Sequence, residues 1–361
     1  AASDVYKRQF KDSAPAELVD CVGHDDLMVL MFTSGTTGRS KAVMLSERNF
    51  FTTVECQVKF GDAMLDYKHE HMPEDKNDVL SNFAILPLFH LGTFICLFVW
   101  ACKGWALNLS ADIRDFYRDL GLMHSDAIAV APMLMEAIYK DVKRGRRARL
   151  NGIWNPCGSS AMFDGAMLAE LAQQGMMITQ VYGMTETCGD GIINYEQDEK
   201  HIRAVGKPDD HAEYKLDETG EICIRGGCVM LGYYKDPEAT AEVLDADGWF
   251  HTGDLARVDE DGFYYITGRK KNIIILDNGE NVSPEELENL LSKCEAVKEC
   301  IVREKGKKIC AVIYCGEADQ QTVRDFITET NRTLPLYKRM SAVEFSTEPL
   351  PRTGTGKLLR K

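Results

Sequence analysis

The chain has 361 residues, 45% of them hydrophobic and 27% charged, the proportions of a globular protein long enough for more than one domain. Its 42 basic and 56 acidic residues leave a net charge of −14, which argues against phosphate-backbone binding as the main task because no bulk positive field would attract a nucleic acid. The 12 cysteines contain no Cys-x-x-Cys pair and are scattered among apolar segments, so reduced thiols of a cytosolic protein are expected rather than a zinc or disulfide framework.

Residues 27–32 form an apolar run that reads as a strand. It leads into Phe32-Thr-Ser-Gly-Thr-Thr-Gly-Arg-Ser-Lys41. Glycines let backbone N–H groups approach an anion, hydroxyls donate further hydrogen bonds, and a lysine adds a point charge, which is the chemistry of a phosphate clamp. The nucleotide-kinase pattern G-x-x-x-x-G-K-[ST] cannot be laid over it, because Lys41 follows Ser40 rather than a glycine. The plain alternative is a surface turn between a strand and a helix. A helix is expected from Ser46, as N-cap, to about Met64, with Asn49 in its first turn. His69-Glu70-His71 lies among charged residues and reads as a solvated loop rather than a metal site.

Strand-like runs follow at 79–86, 127–131, 152–154 and 176–180, with helical segments at 133–143 and 164–174. Their alternation implies an α/β sheet with helices on its faces. The apolar run 94–102 is too short to span a bilayer, which needs about 20 residues, and reads as buried helix or strand. From about Ala204 the pattern changes to short strands at 221–225, 248–250 and 262–266, a small β-rich subdomain. After the basic Gly268-Arg-Lys-Lys271 come a hairpin over 273–282, with Asn278-Gly279 as its turn, and a helix opening at Ser283-Pro284. A domain boundary is placed near Lys271, giving residues 1–270 and 271–361.

Gln180-Val-Tyr-Gly-Met-Thr-Glu186, Phe250-His-Thr-Gly-Asp-Leu255, Gly268-Arg-Lys-Lys271 and Pro351-Arg-Thr-Gly-Thr-Gly-Lys357 follow the phosphate-clamp loop in that order. Together, from about Leu27 to Lys361, these motifs resemble the acyl-adenylate-forming superfamily of acyl-CoA synthetases, carrier-loading adenylation domains and luciferases. The family loop usually has proline where this chain has Ser40; serine keeps the loop small and polar, so phosphate binding is expected to survive. The resemblance implies an α/β fold: a large N-terminal domain, made of an α/β sheet plus a small β-rich subdomain, followed by a small mobile α+β C-terminal domain. Members carry a long region ahead of the loop, so this sequence is expected to begin within a longer protein, and Ala1 to Gln9 could be foreign to the native gene.

Activating a carboxylate needs a triphosphate clamp, a metal, a ribose and adenine pocket, and a cation at the reacting centre. Thr33, Ser34, Gly35, Thr36, Thr37, Gly38 and Lys41 would hold the β- and γ-phosphates of ATP. Tyr182 beside Gly183 offers a ring with room for a purine, and the resemblance places Gly158, Ser159 and Ser160 along the adenine. It also gives Thr185 to the α-phosphate and Glu186 to Mg²⁺, a hard cation that suits a carboxylate. Asp254 would accept from the ribose hydroxyls, with Arg269 nearby. Lys357 would bridge the carboxylate and α-phosphate oxygens, and Lys271 would be the hinge about which the C-terminal domain swings between two half-reactions. The bland alternatives are a half-buried Tyr182 with Glu186 capping a helix, a β-turn at Asp254 and a flexible basic tail at Lys357.

Leu86-Pro-Leu-Phe-His-Leu-Gly92 matches the family segment that gates the acyl pocket, through Phe89 or His90. No acidic residue lies between Leu86 and Lys103 to pair a substrate ammonium, which disfavours amino acids. A fatty acid is the favoured substrate, since the stretch from Gly268 through Asn281-Val-Ser-Pro284 resembles long-chain acyl-CoA synthetases most. The expected reaction is carboxylate plus ATP giving acyl-AMP, then transfer to CoA. An acyl-AMP ligase loading an acyl carrier protein and a non-catalytic nucleotide-binding remnant stay open; a kinase, lacking its loop, is a distant third. Peripheral membrane association also stays open.

Overall fold

The computed structural model describes residues 23–33, 40–110, 112–159, 163–189, 191–276, 280–306, 308–352 and 358–359. Strand β1 (Leu27–Thr33) enters the glycine–threonine loop, and β2 (Lys41–Ser46) returns antiparallel to it with Lys41 opposite Thr33. Helix α1 (Glu47–His71) starts where expected. Ser46 Oγ accepts from the Asn49 N–H at 3.3 Å while Asn49 Oδ1 accepts from the Ser46 N–H at 2.7 Å, a reciprocal cap. The helix runs beyond the expected end near Met64 because its buried stripe continues through Met64 to Lys68, whose ammonium reaches Asp75 at 3.0 Å. His69 and His71 therefore sit in its last turn rather than in a loop.

The chain then alternates β3 (Ser81–Ala84), α2 (Leu91–Cys102), β4 (Ala106–Leu109), α3 (Phe116–Leu122), β5 (Ala127–Val130), α4 (Pro132–Lys143), β6 (Asn155–Ser159), α5 (Gly165–Gln173), β7 (Thr179–Gly183) and β8 (Gly191–Asn194). These strands form one sheet in the order β4-β3-β5-β6-β7-β8, parallel except for β8. Phe83, Ile128, Ile138, Leu168 and Ile178 are among the residues buried between this sheet and its helices. Two expected strands are displaced. Residues 152–154 precede β6, since Asn151 and Gly152 turn the chain with φ of 42° and 105°, and a Cβ on Gly152 would lie 2.2 Å from the His124 ring. The apolar run from Met176 is buried, but pairing begins at Thr179 and carries β7 on through Tyr182 to Gly183. The run 94–102 is the body of α2, and among the described residues no helix is long and apolar enough to cross a membrane.

Next come β9 (Ala212–Leu216), β10 (Glu221–Gly226), β11 (Gly232–Tyr233), α6 (Pro237–Ala241), β12 (Phe250–Val258) and β13 (Tyr264–Arg269). Four of them form an antiparallel sheet in the order β13-β12-β10-β9; β11 leaves it to pair with β2. Beyond β13, β14 (Ile274–Ile275) and β15 (Asn281–Val282) make the expected hairpin, whose turn at Asn278 and Gly279 lies outside the described residues. Helix α7 (Pro284–Leu291) is capped by Ser283, whose Oγ accepts from the Glu286 N–H at 3.4 Å. Then β16 (Glu299–Lys305), β17 (Lys308–Tyr314), α8 (Gln320–Thr333) and β18 (Ala342–Ser346) close a three-stranded sheet over an apolar core that includes Ile274, Leu287, Val302, Ile313 and Ile327. Within it β17 pairs antiparallel to β16 and parallel to β18.

Candidate active site

The β2–β11 pairing draws together residues far apart in sequence. Tyr233, on β11, lies opposite Val43, and the Lys41 ammonium sits 4.3 Å above the centre of the Tyr233 ring. The Tyr233 hydroxyl donates to Glu186 Oε1 at 2.9 Å, and the Glu186 carbonyl accepts from the Met230 N–H at 2.9 Å. Burial, reinforced by the Glu186 carboxylate, pushes the Tyr233 phenol above its ordinary pKa, so it remains a donor. Thr33 and Lys41 thus stand at the base of the loop, beside the one-turn 3₁₀ helix Thr185–Thr187 that carries Thr185 and Glu186. Ser34, Gly35, Thr36, Thr37 and Gly38 lie outside the described residues, as do Ser160 and Lys357.

A second grouping forms where β7 meets the β-rich sheet. Asp254 is buried on β12, directly opposite Arg269 on β13, and its Oδ1 is 2.7 Å from Arg269 Nε. The Tyr182 hydroxyl, at the end of β7, donates to Asp254 Oδ2 at 3.2 Å. Burial and the Asp254 charge raise the Tyr182 pKa, keeping that hydroxyl protonated. Ser159, the last residue of β6, is paired with Val181, so Gly158 and Ser159 run alongside the strand that ends in Tyr182 and Gly183. A Cβ on Gly158 would come within 2.5 Å of the Phe163 ring, which explains the glycine by packing alone.

Two residues without a sequence motif hold these two groupings in place, one each. Glu221, the first residue of β10, is buried and accepts from the Gly253 N–H at 2.7 Å through Oε1 and from Lys270 Nζ at 2.7 Å through Oε2. It fixes the turn that presents Asp254. A carboxylate heading the apolar run Ile222-Cys-Ile224 was its sequence signal. Tyr233 is the other, and nothing in Gly232-Tyr-Tyr-Lys235 separates it from an ordinary strand tyrosine. Lys271 follows Lys270 in the short 3₁₀ turn after β13 and is exposed.

The residues expected to gate an acyl pocket are less gathered. Phe89 is 79% exposed, and His90 is the exposed N-cap of α2. Phe94 and Phe98 of α2 pack edge-on against Phe50 of α1, each 5.7 Å between ring centres, so core packing accounts for them. Beneath the segment, Asn82, Thr93, Cys96 and Ala129 line a cavity of about 10 Å³, and Asn82 Oδ1 and Thr93 Oγ1 are buried there without a hydrogen-bond partner. That volume matches one water rather than an acyl chain.

The strand ends Thr33 and Lys41 beside a half-buried carboxylate, and a tyrosine–aspartate–arginine cluster at the end of a mostly parallel sheet, are the arrangement of an adenylate-forming α/β protein. Residues 2–234 match the AMP-binding enzyme family and residues 286–357 the AMP-binding enzyme C-terminal domain. The chain belongs to the AMP-binding enzyme family. It is 31% identical to a feruloyl-CoA synthase from an Amycolatopsis species over 97% of its own length and 71% of that protein's. It is 30% identical to a long-chain-fatty-acid–CoA ligase of Salmonella typhimurium over 93% of its length, and it spans 61% of that protein. The o-succinylbenzoate coenzyme A synthetase of Bacillus subtilis, solved with ATP and a magnesium ion, superposes with a TM-score of 0.75 at 25% identity, covering 96% of this chain and 72% of that one.

Proposed function

We propose that the protein is an AMP-forming acid–CoA ligase. Residues 182–186 carry the reading: this one short segment joins both groupings, with Tyr182 on the Asp254 carboxylate and Glu186 on Tyr233 beside Lys41. In the proposed first step a substrate carboxylate oxygen attacks the α-phosphorus of ATP in line, and pyrophosphate leaves. Thr33, Ser34, Gly35, Thr36, Thr37, Gly38 and Lys41 hold the leaving phosphates, and Thr185 bonds the α-phosphate. Gly158, Ser159, Ser160, Tyr182 and Gly183 bound the adenine, while Asp254 and Arg269 take the ribose. Lys357 bridges the carboxylate and α-phosphate oxygens and stabilises the charge that develops there during the displacement. In the second step the CoA thiolate attacks the acyl carbon and AMP departs; a carrier-protein thiol is the alternative acceptor.

Glu186 suits magnesium: Oε1 accepts from Tyr233, leaving the second oxygen's lone pairs for a hard cation that also takes phosphate oxygens and water. Bound there, the ion would neutralise phosphate charge. Tyr233 holds the carboxylate in place. Tyr233→Phe is expected to raise the Mg²⁺ concentration for half-maximal pyrophosphate release about 5- to 10-fold, the scale of one positioning hydrogen bond of about 1 kcal/mol, with kcat at saturating Mg²⁺ changed less than about 3-fold. An unmoved Mg²⁺ dependence would leave the tyrosine as packing only.

The boundary near Lys271 remains the proposed pivot, with residues 1–270 and 271–361 as the two domains. For the acid, the absence of an acidic residue between Leu86 and Lys103 supports a substrate without an ammonium group, a fatty acid first. The 31% identity to a feruloyl-CoA synthase makes an aryl acid of that kind the second reading. The test is pyrophosphate release from the full-length protein with long-chain fatty acids, hydroxycinnamic acids and amino acids. Release with fatty acids is expected. Release only with hydroxycinnamates would select the second reading, and none with any acid would end the enzyme reading.

A further inference from the structure

Behind the Asp254 turn, strand pairing gathers metal-ligating side chains that make no contact with substrate in the proposed adenylation. Cys223 on β10 lies directly opposite His251 on β12, and Cys223 Sγ is 3.4 Å from His251 Nδ1. Glu221, two residues earlier on the same face of β10, places Oε2 3.6 Å from that nitrogen. Asp217, which leads into β10, joins Cys223 and His251: one donor atom each from these three lies within 4.8 Å of the others. Zinc–sulfur and zinc–nitrogen bonds of about 2.3 and 2.0–2.1 Å at a tetrahedral angle require donors roughly 3.4–3.6 Å apart. The Cys223–His251 and Glu221–His251 separations already have that spacing.

We propose that Cys223, His251, Glu221 and Asp217 form a binding site for a borderline-soft divalent cation, zinc by its donor set. A thiolate and an imidazole select zinc over magnesium. On its far side His251 Nε2 lies 3.7 Å from Asp245 Oδ2, the outer carboxylate that commonly orients a ligating imidazole. Cys223 and Glu221 are buried, while the His251 side chain is 35% exposed and gives access from solvent.

The cation held there now is the Lys270 ammonium, 2.7 Å from Glu221 Oε2 and 3.7 Å from Asp217 Oδ2. Lys215, on β9, directs its ammonium over the Trp249 ring instead. Metal and Lys270 therefore compete for the two carboxylates. Burial, with Glu221 and Asp217 adding to it, pushes the Cys223 thiol up to about 11, so metal entry releases the thiol proton to solvent while Lys270 swings out still protonated. No electron is exchanged. Because Lys270 follows Arg269 and precedes Lys271, occupancy would loosen the strand end that faces Asp254.

The test is titration of the chelator-treated protein with Co²⁺, which reports thiolate ligation by a ligand-to-metal charge-transfer band, followed by competition with Zn²⁺. Neither ATP nor an acid is present, so the outcome does not depend on adenylation. A saturable band of one equivalent, displaced by Zn²⁺, is expected; Cys223→Ser should abolish it, and Cys56→Ser, which alters the separate group Cys56, Asp209 and His211, should not. His251→Gln, at a half-exposed position, should weaken binding at least about 10-fold should the cysteine variant not fold. Lys270→Met, which removes the competing ammonium, should tighten it about 10-fold. A missing band, a band that survives in Cys223→Ser or vanishes in Cys56→Ser, or an affinity unmoved in both His251→Gln and Lys270→Met overturns the site.

Discussion

Asp254→Asn is expected to lower kcat/KM for ATP by about 10²- to 10³-fold. Asp254 is 4% exposed, held by the Arg269 guanidinium at 2.7 Å and by the Tyr182 hydroxyl at 3.2 Å. In the proposed complex its two oxygens also accept from the ribose hydroxyls. A hydrogen bond to a charged group contributes about 1.5–3 kcal/mol, so losing one outright and weakening the other amounts to roughly 3–4 kcal/mol, with each 1.4 kcal/mol a factor of ten. Asparagine keeps the shape but removes the charge and one acceptor, and it leaves Arg269 facing an amide. Because the ribose bonds are proposed to persist from bound ATP to the transition state, most of the loss should fall on KM. The discriminating measurement is the preference for ATP over 2′-deoxy-ATP. It should be large in the native protein and collapse in the variant; a preference of the same size in both would remove Asp254 from the ribose.

What could be read from the sequence was what neighbours along the chain decide. The Ser46–Asn49 cap and the Ser283 cap are local hydrogen bonds between residues three apart, and both form as expected. The strand–helix alternation was legible because a parallel sheet needs a helix between strands. Motif chemistry carried further: Tyr182, Asp254 and Arg269 were each picked from separate segments, and the fold brings their side chains into contact. Pairing between distant strands was not legible. Nothing near Tyr233 says that two residues of strand will leave one sheet and join β2, yet that step puts the hydroxyl on Glu186. The same holds for Cys223 and His251, which no Cys-x-x-Cys spacing announces because strand register, not sequence distance, makes them neighbours. Strand starts were misplaced where a left-handed turn intervenes, as at Asn151 and Gly152, since a positive φ at a non-glycine residue leaves little trace in apolar periodicity.

Lys357→Ala should reduce adenylate formation by about 10²- to 10³-fold, the usual cost of removing one preorganised donor from developing negative charge. It should change thioester formation from supplied acyl-AMP by less than about 3-fold. The split follows from the proposed swing about Lys271: the domain that carries Lys357 presents it for the first half-reaction and the β14–β15 hairpin for the second, so a lysine used in one arrangement is remote from the chemistry of the other. Lys357 itself lies outside the described residues, but the chain on either side of it is tied down. Arg352 is bridged to Leu358, the Leu359 N–H donates to the Pro351 carbonyl at 2.8 Å, and Arg352 Nη2 meets Glu299 at 2.7 Å on β16. The described residues on either side, Pro351 and Arg352 before it and Leu358 and Leu359 after it, are thereby rooted in the C-terminal sheet. Alanine at 357 changes none of those flanking contacts, so misfolding would show as loss of both steps and of thermal stability together. A stable variant that loses both half-reactions equally would place Lys357 in a single arrangement serving both, and the swing would have to be abandoned.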